Sequence, residues 1–524
     1  MTITFPIPLK DAAPQVLNGN TLREHCAMVN VLSALMRKEE VKSTTADLVT
    51  WFKRNGIPDK RAAQWIKGYN GERLGDIPIT EVAGLLLSEY QKTAAASLTI
   101  AGGIMAMACG MGKTITAVAA ALSYRAKGLC GPRLWIAAPV NAIGAWKRYI
   151  PTLKEHFTEV ELVSMDSLHH CLGLDPSPGG ILIADEAHYV GAWSSQRSKN
   201  ITAVRKAFDV CLCLTGTLLH SGIEKAITVM DLAVPGAALF VNQYTAGAHF
   251  KCLVAKDIPY GAGTKRVIAL ERPTGENFVA FSEYISRITH FATRDSQAFK
   301  DAVGTITQES QLIQLGNPRS LDDEIMEAAL YLREKTGELP TLSGAIMYLR
   351  RAGLEAKMEW LETLILDGEP TVLFAWSLES LKTLRLWLDQ NGLDYGYVDG
   401  TIHQRQREQI VQNFQTGQTR LFLGQMDASC VSIDLFKSAR SVAIEHTNRA
   451  ANYDQALGRT ARRGQDRHCV HYDLAANSLQ AAVIKRLRDG VNFDSHVAEW
   501  AQARAVLTTV SATTNLSNGA EQHD

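Results

Sequence analysis

The sequence lacks an excess of charge of either sign. Its 524 residues contain 54 lysines and arginines and 54 aspartates and glutamates, so the formal net charge at pH 7 is zero. Because no global positive charge is available to hold nucleic acid, any contact of that kind requires a local basic patch.

Closely spaced cysteines are also lacking. The nine cysteines are scattered, and the nearest pair, Cys211 and Cys213, does not have the C-x-x-C spacing of a zinc knuckle or a redox motif. Adjacent His169 and His170 have no second cluster of ligands to match them, and we expect them in a loop. We therefore expect no structural metal and a reducing, cytoplasmic environment.

A secretory signal and a membrane span are not indicated. The amino terminus has no basic segment followed by an apolar core. Residues 93–112 are uncharged and long enough to cross a bilayer. They are rich in Gly, Ser and Thr, however, and lead into Lys113-Thr114, which favours a phosphate-binding strand and loop.

Short, continuous apolar runs alternate with helical patterns in two blocks. Such runs are typical of strands covered on both faces, as in parallel sheets wrapped by helices. The pattern predicts an α/β fold with two such domains. The strands are expected at 104–107, 134–137, 181–184 and 210–214 in the first block, and at 372–375, 421–423, 442–444 and 470–472 in the second.

The length predicts about three or four domains at roughly 150 residues each. Shifts in composition divide the chain into five expected regions: a helix-rich accessory region 1–80, a first α/β domain 81–223, a mainly helical insertion 224–368, a second α/β domain 369–507 and a mobile tail 508–524.

A glycine-rich segment from Met107 to Thr114 follows one of the predicted strands and precedes a helical pattern. Glycines let backbone N–H groups converge on phosphate oxygens at a helix N-terminus, so Gly110 and Gly112 are candidate phosphate-binding residues. Lys113 is expected to reach the β- and γ-phosphates, and the Thr114 hydroxyl to bind Mg²⁺. Met107 stands where the general pattern has glycine, and the alternative is a plain glycine-rich turn.

Two acidic residues, Asp185 and Glu186, directly follow the strand predicted at 181–184. The carboxyl end of a parallel strand lies at the ligand crevice of such sheets. Asp185 is the candidate Mg²⁺ ligand, and Glu186 the candidate group that orients or deprotonates the attacking water. A solvated acidic turn is the alternative.

The second block contains paired arginines. Arg459 and Arg462 lie three residues apart, which places them on one face if the segment is helical. An arginine that neutralises the transferring phosphoryl group raises the rate by about 10³–10⁵. If both arginines face the phosphate loop, nucleotide binds in a cleft between the two domains; the alternative is a basic surface helix.

Together these segments resemble superfamily-two helicases and translocases, most closely the SWI/SNF-type translocases of double-stranded DNA. The resemblance covers roughly residues 86–487 and implies two RecA-like domains that use ATP and Mg²⁺ and bind DNA, with duplex as the expected track. The matching segments are Leu86–Gln91, Ala138–Trp146, Asp185–His188 (the DEAH box), Leu214–Thr217, Tyr397–Gly400 with Arg405, Arg407 and Phe414, and Gln455–Gln465.

The resemblance implies a role for further residues. Gln91 would read adenine, Asp434 would bind ribose, and Gln455 belongs to the arginine motif. His188, Gly216 and Thr217 would couple the nucleotide state to the track, and Trp146 belongs to a segment that grips the DNA backbone. The candidate nucleic-acid contacts are Lys147, Arg148, Thr215, Arg405 and Arg407.

Two segments depart from the family pattern. Ser432 replaces a glycine of the motif that precedes the paired arginines, and Asn448-Arg449-Ala450 replaces its Trp-Asn-Pro. Without that glycine, a close approach of the backbone to DNA or ATP is less favoured.

Basic and aromatic residues interleave near the amino terminus. This composition suits an accessory nucleic-acid patch, but the spacing of Trp65 and Tyr69 fits a small packed core equally well. The cluster comprises Trp51, Lys53, Arg54, Lys60, Arg61, Trp65, Lys67, Tyr69 and Arg73.

The resulting hypothesis is an ATP-driven motor that translocates along DNA. A strand-separating helicase, a remodeller that displaces bound proteins and a nucleotide-gated DNA-binding scaffold remain alternatives. A protein partner is expected through the N-terminal region or the insertion. Because no chromatin-reading module is recognisable, we expect a bacterial or bacteriophage protein.

Overall fold

The computed structural model describes residues 56–489 apart from 109, 191–194, 217, 219–222, 236–246, 248–249, 261–262, 271–274, 293–296, 298–299, 301–307, 318, 339, 430–432 and 462–464. The chain divides into two compact units, with the division between residues 304 and 305. The expected tail, 508–524, lies outside the described residues.

The first unit contains a six-stranded sheet in which every neighbouring pair is parallel, in the order β10-β3-β7-β6-β4-β5. Its inner strands are continuous apolar runs and are buried, as strands covered on both faces must be. The strands of the sheet are β3 (Gly102–Met107), β4 (Arg133–Ala138), β5 (Glu159–Ser164), β6 (Gly180–Ala184), β7 (Val210–Thr215) and β10 (Thr289–Ala292).

Two antiparallel pairs accompany this sheet, β1 (Glu81–Val82) with β2 (Leu85–Leu86) and β8 (Leu253–Tyr260) with β9 (Gly263–Leu270). The helices of the unit are α1 (Asp59–Tyr69), α2 (Glu89–Ala96), α3 (Lys113–Ala126), α4 (Ile143–Lys147), α5 (Ile150–Lys154), α6 (Gln196–Arg205), α7 (Ile223–Ala233) and α8 (Gly275–Ser286). Three 3₁₀ turns lie at Val140–Ala142, Met165–Cys171 and Ala187–Val190. The second of these contains His169 and His170, so these residues form a short helical turn rather than the expected loop.

The second unit repeats this design with six parallel strands in the order β11-β16-β15-β12-β14-β13. They are β11 (Gln308–Gln314), β12 (Thr371–Ala375), β13 (Tyr395–Val398), β14 (Leu421–Gln425), β15 (Arg440–Ala443) and β16 (Cys469–Ala475). The helices are α9 (Leu321–Thr336), α10 (Leu342–Arg351), α11 (Leu354–Ile365), α12 (Leu378–Gln390), α13 (Gln404–Thr416), α14 (Met426–Ser429), α15 (Ala450–Leu457) and α16 (Ser478–Arg488). The predicted fold class, two parallel α/β domains, is confirmed.

The region expected as a mainly helical insertion, 224–368, is arranged differently. It contains β10, which pairs with β3 of the first sheet, and β11, which pairs with β16 of the second. Both are edge strands with a single neighbour, so they do not need the continuous apolar run that revealed the inner strands. The region is therefore shared between the two units.

The N-terminal helix α1 packs on the first unit. Arg61 is buried, and its guanidinium donates to the Asp209 carboxylate at 2.8 Å and to the carbonyl of Lys206 at 2.6 Å. Trp65 is also buried, and its indole N–H donates to the carbonyl of Asp209 at 2.7 Å, while the Arg205 guanidinium lies 4.6 Å from its ring centre. These two members of the basic and aromatic cluster therefore form a packed core. Trp51, Lys53 and Arg54 lie outside the described residues.

None of the helices that the structure describes combines the length and the apolar character that crossing a bilayer requires.

Candidate nucleotide-binding site

The glycine-rich segment forms a turn between β3 and α3. Gly110 and Gly112 have φ values of +87° and +78°, a backbone region that residues with a Cβ rarely adopt. Gly112 is the N-cap of α3, so the turn delivers the chain directly to a helix N-terminus. The Lys113 ammonium donates to the carbonyl of Met107 at 3.0 Å, and Thr114 lies in the first turn of α3. This is the geometry that binds phosphate in glycine-rich loops.

Helix α2 supports this turn from one side. Gln91 is buried, and its amide nitrogen lies 3.4 Å from the carbonyl of Met111, while the Tyr90 hydroxyl donates to the same carbonyl at 2.5 Å. A Cβ added to Gly112 would lie 2.4 Å from the amide nitrogen of Gln91. The glycine is thus required both by its φ and by the close approach of Gln91, the residue for which the resemblance implies contact with adenine.

The acidic pair begins directly after β6. Asp185 is 7% exposed; its Oδ2 accepts from the indole N–H of Trp146 at 2.8 Å, and its Oδ1 accepts from the Glu186 backbone N–H at 2.9 Å. Burial raises the pKa of the Asp185 carboxyl to about 6, and the charge of Glu186 acts in the same direction, whereas Lys113 opposes it. Trp146 is fully buried, so in this structure it orients Asp185 rather than presenting a surface to DNA.

Glu186 is connected to the end of the neighbouring strand β7. Its backbone has a φ of +48°, which is uncommon for a residue other than glycine and directs its side chain away from the regular strand path. Its Oε2 lies 3.4 Å from Nδ1 of His188, and the same nitrogen lies 3.2 Å from the Thr215 hydroxyl. Nδ1 of His188 therefore lies close to both Glu186 and Thr215, and the three side chains form a polar cluster at the ends of two neighbouring strands.

The contact with His188 places Thr215 inside the protein rather than at the expected nucleic-acid surface. Thr215 is fully buried and contacts His188, so it is not available to a nucleic acid in this structure; its position suits the coupling role that the resemblance gives to the same motif. Gly216 forms the bend after β7, whereas Thr217 lies outside the described residues.

In the second unit, the arginine motif lies partly inside the protein. Gln455 is buried on α15, and Arg459 is 2% exposed, with its guanidinium donating to the carbonyl of Ile433 at 3.1 Å. Asp434, the residue with an implied ribose contact, is exposed, and Arg462 lies outside the described residues. In this structure Arg459 thus contacts its own unit, and its role as an arginine finger stays a prediction.

The four basic candidates for nucleic-acid contact differ in exposure. Lys147, Arg148 and Arg405 are exposed, as a phosphate contact requires. Arg407 is buried, donates to the carbonyls of Ala428 at 3.3 Å and Asp399 at 3.2 Å, and has a pKa lowered by burial. These two bonds fix the turn after β13. A buried guanidinium in such contacts cannot reach a phosphate without a rearrangement.

The described residues contain no group of three or more His, Cys, Asp or Glu side chains placed to hold a metal ion. Mg²⁺ in glycine-rich phosphate loops is bound by a hydroxyl, a carboxylate and the substrate's own phosphates, so it does not need such a group. Thr114 and Asp185 supply those two protein ligand types, and Gly110 and Gly112 have the positive φ values of a phosphate-binding turn. The residues present therefore fit a nucleotide with Mg²⁺.

Comparison with known proteins gives sequence matches and similar solved structures. The family model for the helicase conserved C-terminal domain matches residues 356–464. The chain is 25% identical over 313 residues to chromodomain-helicase-DNA-binding protein 1-like from Danio rerio, covering 55% of this chain and 29% of that protein. It is 32% identical over 137 residues to Switch 2 from Arabidopsis thaliana, covering 25% and 16% of the two chains.

Among solved structures, the Sulfolobus solfataricus SWI2/SNF2 ATPase core in complex with dsDNA aligns with a TM-score of 0.38 and 14% identity, covering 76% of this chain and 90% of that one. The chain spans less than a third of the length of the two relatives above. The sequence matches make parts of this chain similar to superfamily-two helicases and translocases of the SWI/SNF type.

Proposed function

We propose that this chain, a superfamily-two protein most like the SWI/SNF-type translocases, hydrolyses ATP to move along DNA, with duplex as its preferred track. The observation that carries the proposal is the carboxyl edge of the first sheet, where the glycine-rich turn with Lys113 follows β3 and the buried carboxylate of Asp185 follows β6. The same edge holds the polar cluster of Glu186, His188 and Thr215.

The residues of the first unit have distinct tasks in this proposal. The N–H groups around Gly110 and Gly112 and the Lys113 ammonium bind the phosphates, and Gln91 positions the adenine end. Thr114 and Asp185 would hold Mg²⁺, which neutralises charge on the phosphates when it is bound. Glu186 orients the attacking water and accepts its proton, since its carboxylate follows the strand end directly.

Coupling to movement uses the His188 link. A change in the contacts of Glu186 on hydrolysis reaches Thr215 through His188, and Thr215 leads into the bend at Gly216. We propose that Arg462, with Arg459 if it leaves its buried position, completes the site from the second unit, so that hydrolysis opens and closes a cleft between the units.

The test is ATP hydrolysis measured with duplex DNA, single-stranded DNA and RNA at several salt concentrations. We expect duplex DNA to stimulate most, and stimulation to fall steeply with salt because phosphate contacts release counterions. Stimulation by single strands or RNA alone would reject the duplex track. A wild-type protein that binds DNA without any stimulated hydrolysis would instead be a nucleotide-gated scaffold.

Glu186→Gln is the matched active-site variant, because it removes the base and keeps the size of the side chain. It should lower turnover by about 10²–10⁴-fold and retain ATP binding, measured with a fluorescent nucleotide. Equal loss of binding and turnover would show that Glu186 supports the fold of the turn rather than the chemistry.

A further inference from the structure

Trp376 occupies the carboxyl edge of the second sheet. It directly follows β12, a central strand that pairs with both β14 and β15. Its side chain is partly exposed, and it is not a member of the apolar clusters that the described residues of this unit form. A large aromatic ring at such an edge, outside the core, is placed where ligands of parallel sheets bind.

Arg350 holds one side of this indole. Its guanidinium carbon lies 4.3 Å from the Trp376 ring centre, and the arginine itself is only 4% exposed. It donates to the carbonyl of His446 and to the Asn448 side chain, both in the loop after β15. The hydrogen bonds hold the buried guanidinium against the face of the ring. The attraction between this cation and the ring then restricts the movement of the indole.

Asp427 holds the indole nitrogen. Its Oδ2 accepts from the Trp376 N–H at 3.0 Å, while its Oδ1 accepts from the Thr447 hydroxyl and from the Asn452 amide, each at 2.7 Å. Asn452 lies on α15, the helix that leads to Arg459. The ring orientation is therefore tied both to the neighbouring strand ends and to the helix that precedes the paired arginines.

A positive charge accompanies the ring. Arg449 directly follows Asn448, the residue bound to Arg350, and is exposed at the N-cap of α15. An immobilised aromatic face and an exposed cation at the same edge of a sheet are a combination that proteins use to bind a nucleic-acid strand, since the ring packs on a base or sugar and the cation contacts the phosphate.

We propose that Trp376 and Arg449 form a contact of the second domain with the nucleic-acid strand, with Trp376 against the flat face of a base or sugar and Arg449 on a phosphate. This inference rests on the proposed function, because it needs a nucleic-acid track. Arg350 and Asp427 are positioning residues, which act by fixing the ring.

The experiment measures the affinity of the full chain for labelled duplex and single-stranded DNA by fluorescence anisotropy. Trp376→Ala should weaken binding by about tenfold, within the range of roughly 5–150-fold that corresponds to loss of one stacked base. Trp376→Phe retains a ring and should stay within about threefold of the wild type. Leu386→Ala, which truncates an exposed side chain on α12 of the same unit, is the matched control and should bind as the wild type does.

Two further readouts separate contact from a structural effect. Quenching of tryptophan fluorescence by DNA should be smaller in Trp376→Phe than in the wild type, because the stacked indole is missing. Arg449→Ala should reduce the slope of log affinity against log salt by about 1. Both variants keep the test decisive if Trp376→Ala does not fold, which its melting temperature would reveal.

The outcomes distinguish this contact from the proposed function. A wild type that binds DNA while Trp376→Ala binds equally well would overturn the contact alone, and unchanged quenching in Trp376→Phe would do the same. A wild type that binds no nucleic acid would reject both proposals. If Trp376→Ala loses affinity for single-stranded DNA only, the ring contacts a base. If it loses affinity for duplex DNA equally, the ring contacts a sugar. Both results support the contact.

Discussion

Both units contain a six-stranded parallel sheet, but the charged residues near the carboxyl edges of the two sheets are used differently. In the first unit, Asp185 and Glu186 are adjacent, and burial and mutual repulsion raise the pKa of Asp185 to about 6. In the second unit, two buried charged groups are engaged in internal contacts. Arg459 donates to Ile433, and the fully buried Asp473 bonds with Tyr453, Arg488 and two histidines.

This difference fits the two tasks proposed above for the two units. An edge whose like charges lie together gains stability when a cationic or metal-bound ligand arrives, which suits nucleotide binding. An edge whose charges are satisfied internally is rigid before any ligand binds, and it presents fixed side chains such as Trp376 to a partner. Chemistry in such folds resides in the loops that follow the strands rather than in the sheet.

The largest effect that would sharpen this comparison is expected for Arg459→Ala. Because the side chain is 2% exposed and bonded within its unit, its removal should lower the free energy of unfolding of the second unit by about 2–4 kcal/mol. Urea denaturation measures this loss. Arg405→Ala, an exposed arginine of the same unit, should change stability by less than about 0.5 kcal/mol.

Arg459→Ala also tests the expected catalytic role. If turnover falls while the unfolding free energy stays at the wild-type value, the arginine acts in hydrolysis from another conformation. That result would break the contrast between the two edges, because a charged group of the second unit would then be available to the nucleotide.

A smaller effect is expected for Gly112→Ala in the first unit. An alanine at a φ of +78° costs about 1–2 kcal/mol, and its Cβ would displace Gln91 from the turn. We therefore expect both a lower melting temperature and at least a tenfold weaker nucleotide affinity, measured with a fluorescent nucleotide.

Gly128→Ala is the matched control for this variant. Gly128 has a φ of +64° but has open space where its Cβ would lie. It should therefore show the loss of stability without the loss of nucleotide binding. If both variants bind nucleotide equally, the turn at Gly112 is not the phosphate site.

Local patterns in the sequence predicted the parts of the fold that are buried on both faces. The inner strands β3, β6 and β12 are continuous apolar runs, and each was predicted within two residues of its bounds. Strand β11, with the sequence Gln-Glu-Ser-Gln-Leu-Ile-Gln, has no such run because it has one neighbour in the sheet. Its pairing is decided by tertiary contacts with β16, which lies far along the chain.

The candidate site was predictable where chemistry depends on adjacent residues. The turn at Gly112-Lys113-Thr114 and the pair Asp185-Glu186 each bring their candidate groups together in consecutive positions. The burial of Thr215 and Arg407 was not predictable, since a polar residue can lie in solvent or in a satisfied internal contact. Trp146 and Trp376 were likewise missed as hydrogen-bond donors to aspartates, because each partner lies 39 or more residues away.

The smallest effect is expected for an ion pair of the second unit whose charges are both at the surface or near it. Asp367 receives two hydrogen bonds from Arg440, at 2.6 and 2.8 Å, and these bonds lower the pKa of its carboxyl to about 2. Since the Asp367 side chain is 50% exposed, solvent screening limits the contribution of the pair to about 1 kcal/mol or less. Asp367→Asn should therefore lower the unfolding free energy by that amount at pH 7, with Glu362→Gln on α11 as the control.

A folded pKa below the unfolded value means that this stabilisation is complete above about pH 4 and is lost as the pH falls through about 2. The difference between wild type and Asp367→Asn, measured by urea denaturation from pH 7 to pH 3, should be constant down to about pH 4 and then narrow. A difference that grows on acidification would show that Asp367 is stabilised in its protonated form, against the pKa shift that its bonds to Arg440 produce.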